Sequence, residues 1–153
     1  MANKLKVGLV AVVAVAVLAM PASALAGGTT MHAKMTGKKE VPSGSGAPEG
    51  TGFLELTLKP KRKEVCVTVL NFTNIGKATS SGIFLGKKNE DGKTKVVFFE
   101  ESTSSPFKGC VKAKKRELLR IKKKPRNYHV NVETKKYPNG AIRGQLEKGS
   151  LPS

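Results

Sequence analysis

The sequence predicts an all-β protein: a two-sheet Greek-key β-sandwich, immunoglobulin-like, with one short basic helix before a C-terminal hairpin. Three observations carry this prediction. Apolar and polar residues alternate with period two in several short segments, Gly, Pro and Asn residues mark turns between them, and only residues 113–124 have helical character. The chain has room for roughly seven to nine strands. An OB-fold barrel is the alternative architecture.

The first three strands lie on either side of a loop rich in Gly, Ser and Pro. Residues 31–36 form a weak first strand, and residues 43–52 form the loop. In residues 53–59, Leu54, Leu56 and Leu58 occupy alternate positions, which predicts one face toward the core. Residues 64–72 are almost continuously apolar, so we expect a central strand that is buried on both faces.

Two further strands and a helix follow. Residues 78–86 and 93–100 are predicted as strands joined by a turn at residues 87–92. From residue 113 the pattern changes, because Leu118, Leu119 and Ile121 lie among Lys and Arg residues, and Pro125 ends the run. A short helix fits this pattern. We expect its three apolar side chains to pack against the sandwich.

Residues 128–146 predict a β-hairpin. Tyr128, Val130 and Val132 share one face of the first strand, and polar residues between them share the other. Asn139 and Gly140 can take the positive φ values that a tight reversal needs.

The second strand of this hairpin contains Gly144, which indicates either a close approach of another backbone or a bulge. If the numbers of facing residues sum to 276, Glu133 pairs with Arg143 and Asn131 pairs with Gln145 on the polar face. Such pairs stabilise a hairpin by roughly 0.2 to 1 kcal/mol each.

The N-terminus has the pattern of a secretory signal peptide. Lys4 and Lys6 precede an uncharged apolar run at residues 7–20, and Ala24-Leu25-Ala26 precedes two glycines, which predicts cleavage after Ala26. The apolar run is shorter than the membrane span of about 20 residues, so cleavage is favoured over an uncleaved anchor. We therefore expect a mature chain of residues 27–153 without a transmembrane segment. It would be a single secreted or cell-envelope domain with its core at about residues 31–147.

The chain is strongly basic. It has 28 Lys and Arg residues against 11 Asp and Glu residues, a formal net charge of +17, and the signal peptide holds two of the basic residues, so the mature chain carries +15. A charge of this size favours anionic partners. Specific nucleic-acid binding is not expected, because the leader directs export and the stacking aromatic residues are few: two Tyr, six Phe and no Trp.

Cys66 and Cys110 are the only cysteines. In an exported protein a single disulfide is the expected state. Free thiols, or half of a metal site, are the alternative, although neither Cys has a Cys or His neighbour at ligand spacing.

The densest positive charge lies at residues 112–126, where nine cations accompany one acid, Glu117. Such runs are typical of segments that bind phosphate or sulfate polymers. The alternative is a solvated helix face in a protein that is basic throughout. The candidate anion-binding residues are Lys112, Lys114, Lys115, Arg116, Arg120, Lys122, Lys123, Lys124 and Arg126.

Motifs that carry catalysis are absent from the sequence. It contains no Gly-x-Ser-x-Gly, no phosphate-binding glycine loop and no His-Glu-x-x-His. His32 and His129 are far apart and have no ligand spacing, so each is expected to be a satisfied surface or rim residue. We expect no enzyme activity, no cofactor and no bound metal.

The amino-acid sequence of the hairpin resembles the terminal signature of CHRD domains, the repeat first named from chordin. Tyr-x-Val-Asn-Val-x-Thr is followed by Tyr-Pro-x-Gly-x-Ile-Arg-Gly-Gln-Leu, and residues 40–42 and 50–52 resemble the opening of the same domain. The resemblance therefore covers nearly all of the mature chain as one module. The signature residues here are Tyr128, Asn131, Tyr137, Pro138, Gly140, Arg143, Gly144 and Gln145.

This resemblance has two chemical implications. Many bacterial CHRD domains carry cysteines at places that match Cys66 and Cys110, which agrees with a disulfide. CHRD domains also commonly carry three histidines, at positions that hold Gly82, Phe84 and Glu133 in this sequence. Because Gly and Phe offer no side-chain ligand, this departure is a further reason to expect no metal.

The resemblance implies a binding or structural module. Chordin is an extracellular growth-factor antagonist, and by that fold-level analogy the partner would be an extracellular protein. The charge favours instead an anionic polymer of the extracellular matrix or cell envelope. An enzyme or metal carrier is the third class.

Overall fold

The structure, a computed structural model, describes residues 27–152 as nine strands and one α-helix joined by turns and short 3₁₀ segments. The predicted signal peptide, residues 1–26, lies outside the described residues. The elements are β1 (Thr29–Thr36), β2 (Thr51–Lys59), β3 (Glu64–Thr73), β4 (Ala78–Leu85), β5 (Thr94–Phe99), β6 (Phe107–Lys112), α1 (Lys115–Lys123), β7 (Tyr128–Thr134), β8 (Ile142–Gln145) and β9 (Glu147–Lys148).

The strands form one antiparallel sheet instead of two stacked sheets. Their order is β5-β4-β7-β8-β1-β2-β3-β6, with β9 paired to β1. The two end strands approach each other, and the rings of Phe99 on β5 and Phe107 on β6 lie with their centroids 5.0 Å apart. The sheet is therefore nearly closed and barrel-like. The all-β prediction is confirmed, whereas the two-sheet Greek-key sandwich is not, because alternation indicates which side chains point inward but not which strands pair.

The barrel interior is filled by the inward side chains of the strands. Leu54, Leu56 and Leu58 are fully buried, as their alternation predicts. Each buried Leu stabilises the fold by roughly 1.5 to 3 kcal/mol relative to an exposed one. The same core contains Met31, Ala33, Met35, Val65, Val67, Leu70, Phe72, Ile83, Val130, Val132, Ile142 and Leu146.

The sequence had indicated that β3 is buried on both faces, and this prediction is wrong. Val65 and Val67 point into the core, while Thr68 between the two halves of the strand is exposed. At this point the register shifts against both neighbouring strands, so that Leu70 and Phe72 become the inward residues. A bulge thus moves the inward phase from odd to even positions, which makes the apolar run look continuous.

β7 and β8 form the predicted hairpin in a different register. Asn131 lies opposite Arg143 and His129 lies opposite Gln145, so facing numbers sum to 274 instead of 276. The polar residues still share one face, because a shift of two residues preserves sidedness.

The reversal of this hairpin uses two successive turns. Thr134 and Tyr137 exchange both backbone hydrogen bonds, at 3.1 and 3.2 Å, and the Gly140 amide then donates to the Tyr137 carbonyl at 3.2 Å. Gly140 has φ of +140°, as expected, whereas Asn139 is not among the residues with positive φ. Gly144 provides the predicted close approach, since a Cβ there would meet the Lys34 carbonyl of β1.

Cys66 and Cys110 form the predicted disulfide. They occupy directly opposite positions of β3 and β6, on the outer side of the sheet. Their Cα atoms are 3.9 Å apart, which is closer than the usual separation of about 4.4 to 6.8 Å. The bond joins the end strand β6 to the rest of the sheet.

The predicted helix is confirmed as α1, which ends before Pro125. Leu118 and Ile121 are fully buried, but Leu119 is 46% exposed, so the expectation that all three pack inward is wrong for Leu119. Residues three apart share a helix face, whereas the next residue is turned away by about 100°. Within residues 27–152 we find no helix with the length and hydropathy needed to cross a membrane.

Candidate anion-binding surface

The fold brings two basic segments together that are distant in sequence. α1 lies against the 3₁₀ turn Pro60–Arg62 between β2 and β3. The amide of Ala113 donates to the carbonyl of Lys63 at 2.9 Å, which fixes the start of the helical segment beside this turn. We call the cations of residues 61–63 and 112–126 the basic ridge.

Four ridge cations are partly neutralised by carboxylates. Such exposed pairs contribute at most about 1 kcal/mol each, because water screens them. The pairs are Lys112–Glu64 at 2.8 Å, Arg62–Glu64 at 3.1 Å, Arg126–Glu147 at 3.4 Å and Arg120–Glu117 at 3.8 Å.

Eight ridge cations have no such partner. Within the described part of the chain, no carboxylate lies within the 4.0 Å limit of an ion pair to any of them. All eight residues are exposed. They are Lys61, Lys63, Lys114, Lys115, Arg116, Lys122, Lys123 and Lys124. Their charge is therefore available to an anion from solvent.

Leu119 lies among the charged side chains of the basic ridge. With Lys115, Arg116, Arg120 and Lys123 it forms a shallow depression on the outer face of α1. The cations around it can bind an anionic group while their alkyl stems and Leu119 contact the carbon skeleton that carries the group.

The polar face of the hairpin is largely buried. Loops of residues 37–50 and 86–92 cover it, and Arg143 on β8 is only 2% exposed. Nη2 of Arg143 donates to the carbonyls of Lys87 at 2.8 Å and Glu90 at 2.6 Å. The signature arginine therefore holds the β4–β5 loop on the sheet.

Glu40 is buried beside this arginine. It is 3% exposed, and its Oε1 has no hydrogen-bond partner in residues 27–152. Burial raises the pKa of Glu40 to about 7, and the positive charge of Arg143 opposes that rise only in part. Gly140 is needed here, because a Cβ at its position would meet the Glu40 carboxylate and the Asn131 amide.

His129 is buried on the same face, which corrects its expected place at the surface or rim. It is 1% exposed, its ring stacks on Phe84 with centroids 5.5 Å apart, and Nδ1 lies 3.2 Å from the Gly86 carbonyl. Because that partner is an acceptor, Nδ1 carries the proton. Burial, helped by Arg143, lowers the pKa of His129 to about 4. His32, by contrast, is partly exposed on β1, where Nδ1 lies 2.9 Å from the Gly149 carbonyl.

The remaining signature residues have structural roles. The Tyr128 hydroxyl donates to Glu117 of α1 at 2.9 Å, and burial together with this bond raises the pKa of Tyr128 to about 12. The two N–H groups of Gln145 Nε2 are shared among three backbone carbonyls, which lie at 2.9 to 3.2 Å and include that of Gly86 at 3.0 Å. Asn131 Nδ2 donates to Asn139 at 3.2 Å, the half-buried Tyr137 closes the turn, and Pro138 is exposed.

The three positions at which the CHRD resemblance implies histidines share the face that carries His129. Gly82 pairs with Asn131, Phe84 pairs with His129, and Glu133 pairs with Ser80. A Cβ at position 82 would meet the backbone carbonyl of Val96, so β5 leaves no room there for a side chain. In residues 27–152 no group of three or more His, Cys, Asp or Glu side chains is arranged to hold a metal ion.

A second basic feature was not apparent from the sequence. A cleft of about 480 Å³ lies on the outer side of β1 and β8, lined by Lys34, Lys38, Lys39, Lys88, Arg143 and Glu147 among others. We call it the basic cleft. The pairs Lys38-Lys39 and Lys87-Lys88 were its only sign in the sequence, and nothing in their spacing predicts that they meet.

The family model described as CHRD domain matches residues 31–146. No curated protein and no solved structure matches the chain significantly. The matched region runs from β1 to the end of the hairpin and includes both cysteines, the basic ridge and most of the basic cleft, of which Glu147 and Pro152 lie beyond it. Since it covers most of the sequence, the chain belongs to the CHRD domain family.

Proposed function

We propose that this protein is a non-catalytic adhesion module that binds anionic polymers of the extracellular matrix or cell envelope through the basic ridge. Membership of the CHRD family supports a binding or structural role. One observation carries the choice of ligand: the packing of the β2–β3 turn against α1 joins two basic segments into one surface with eight cations that lack a carboxylate partner.

The physical basis is counterion release. A polyanion holds condensed cations, and each Lys or Arg that replaces one returns a counterion to bulk solvent. The binding free energy then depends on salt concentration and only weakly on the sequence of the polymer. Affinity in the micromolar range or weaker is expected at physiological salt, as for other non-specific polyanion binding.

A role outside the cytoplasm is part of the proposal. It is supported by the predicted signal peptide and by the Cys66–Cys110 disulfide, because such bonds persist mainly in oxidising compartments.

The test is a salt titration of binding to heparin, with dextran as the neutral polymer. The mature chain should bind heparin with a logarithm of Kd that rises linearly with the logarithm of salt concentration, and should not bind dextran. The triple variant Lys122→Ser, Lys123→Ser, Lys124→Ser should bind at least about tenfold more weakly and show a smaller salt slope.

A matched control has the same change of charge elsewhere. Lys77, Lys93 and Lys135 are exposed, lie outside the ridge, and make no ion pair within the described residues. Their triple Ser variant should retain heparin affinity within about threefold. Equal losses of heparin affinity in both variants would show that only the net charge matters, and would refute binding through the basic ridge. Tight binding that ignores salt would point to a specific interface of the kind expected for a protein partner.

A further inference from the structure

We propose that the basic cleft is a binding site for a single phosphate or sulfate ester group carried on a sugar-sized unit. This proposal does not rest on polymer adhesion by the ridge, because the two surfaces use different cations. The shape of the cleft gives the first reason. Its volume of about 480 Å³ lies within the range typical of small-molecule sites, roughly 300 to 1,000 Å³. The ridge carries two concavities as well, at Leu119 and beside Lys124 and Arg126, but fewer cations line each of them.

Charge gives the second reason. Five cations line the cleft, and Glu147 is the one carboxylate among its lining residues. Glu147 is also engaged by Arg126 outside the cleft, at 3.4 Å. An anion that enters would therefore meet an excess of positive charge inside a concave wall, where field lines are focused.

The position of Arg143 gives the third reason. Arg143 lines the cleft although it is only 2% exposed, and its Nη2 is fixed by two backbone carbonyls. A guanidinium is planar and permanently charged, and its geometry suits the oxygens of a phosphate or sulfate. The carboxyl groups of Glu40, Asp91 and Glu90 act on Arg143 from the side of the loops and offset part of its charge. Because the side chain is already ordered, little conformational entropy is lost when it binds a ligand.

Lys39 completes the arrangement. Its Nζ donates to the Lys34 carbonyl at 2.6 Å, which holds the ammonium group over the cleft. Burial is the main influence on the pKa of Lys39 and lowers it. Among its charged neighbours Glu147 has the largest effect and raises the pKa, while Lys34 and Lys88 lower it. The ammonium groups are thus close enough to repel one another. A negatively charged phosphate or sulfate ester between them would relieve that repulsion, and a neutral sugar would not.

The experiment is a titration of the mature chain at low salt with glucose 6-phosphate, followed by nitrogen-15 NMR and calorimetry. Saturable binding at one site is expected, with the largest shifts at the amides of Lys34, Lys39, Lys88 and Gln145. Glucose should produce no shift. Glucose 6-sulfate and a heparin disaccharide should compete for the same site if sulfate esters are also accepted. If neither sulfated sugar competes, the site accepts phosphate esters only. If none of the esters shows saturable binding, the proposal is overturned.

Two matched double variants separate the cleft from the ridge. Lys39→Ser with Lys88→Ser should weaken glucose 6-phosphate binding at least about tenfold, while Lys122→Ser with Lys123→Ser should change it less than about twofold. Arg143 is left intact because it also holds the β4–β5 loop. Equal weakening by both pairs would overturn the proposal. If the cleft variant does not fold, the positions of the amide shifts in the NMR titration of the parent protein locate the binding site. Shifts confined to α1 would refute binding in the cleft.

Discussion

Replacing Glu40 by Gln is expected to stabilise the protein above pH 7 and to leave its stability nearly unchanged near pH 4. Glu40 is buried, and its pKa is raised from 4.5 to about 7. The folded state therefore binds its proton more tightly than the unfolded state does. The stabilisation that protonated Glu40 provides is fully present below pH 4.5 and is lost as pH rises through about 7.

The magnitude follows from the size of that shift. One pKa unit corresponds to about 1.36 kcal/mol, so the ionised carboxylate destabilises the fold by roughly 3 kcal/mol at high pH. Gln has nearly the same shape and cannot ionise. The difference in unfolding free energy between variant and parent should therefore grow from near zero at pH 4 to roughly 3 kcal/mol at pH 8. For a domain of this size that is about 10 °C in Tm.

The assay is urea unfolding of parent and variant at pH 4, 5, 6, 7 and 8, followed by circular dichroism. Glu49→Gln is the control, because Glu49 is exposed and its variant should differ from the parent by the same small amount at every pH. A difference for Glu40→Gln that stays constant from pH 4 to 8 would refute the reasoning, since the carboxylate would then titrate alike in both states.

His129 affects the pH dependence of stability in the opposite direction to Glu40. Its pKa falls from 6.5 to about 4, so the stabilisation by neutral His129 is present above pH 6.5 and lost as pH falls through about 4. His129→Gln should reduce the acid sensitivity of unfolding by roughly 2 to 3 kcal/mol between pH 7 and 4, and an unchanged slope in the same urea series would contradict this. Replacing both cysteines by Ala should lower the unfolding free energy by roughly 3 to 4 kcal/mol, because the disulfide closes a separation of 44 residues in the unfolded chain. Urea midpoints measure this effect, and a loss below about 1 kcal/mol would show that the cross-link constrains the unfolded chain little.

The parts of the fold that follow from local pattern were predictable. Leu54, Leu56 and Leu58 point inward because every second residue of a strand does, and Pro125 ends the helical segment because proline cannot continue it. The disulfide was predicted from the cysteine count together with the predicted signal peptide. These features depend on a few neighbouring residues or on composition, which the sequence displays directly.

Pairing between distant strands was not predictable in the same way. β4 lies beside β7, and β1 lies beside β8, across many intervening residues. Period two is the same in a sandwich and in a barrel, so it cannot choose between them. The bulge at Thr68 disguised an alternating strand as a continuously apolar one.

In the candidate site, too, the features that follow from local sequence were predictable and those that depend on distant segments were not. The cations of residues 112–126 are exposed, as a charged run predicts, because nine charges cannot be buried without partners. The burial of Arg143, Asn131 and His129 could not be inferred, since the loops that cover them come from residues 37–50 and 86–92. A polar face looks the same in sequence whether water or another loop lies over it.

The meeting of β5 and β6 has a consequence for behaviour at high concentration. A free strand edge offers unpaired N–H and C=O groups to a second copy and so promotes aggregation. Here the two end strands of the sheet turn toward each other across the contact of Phe99 with Phe107, and each also carries a lysine, Lys95 or Lys108. On a polyanion of the proposed kind many copies would lie close together, and in the described sheet the end strands face each other instead of presenting a wide open edge to a neighbour. Such copies would be less prone to associate through their strand edges than copies of an open sheet.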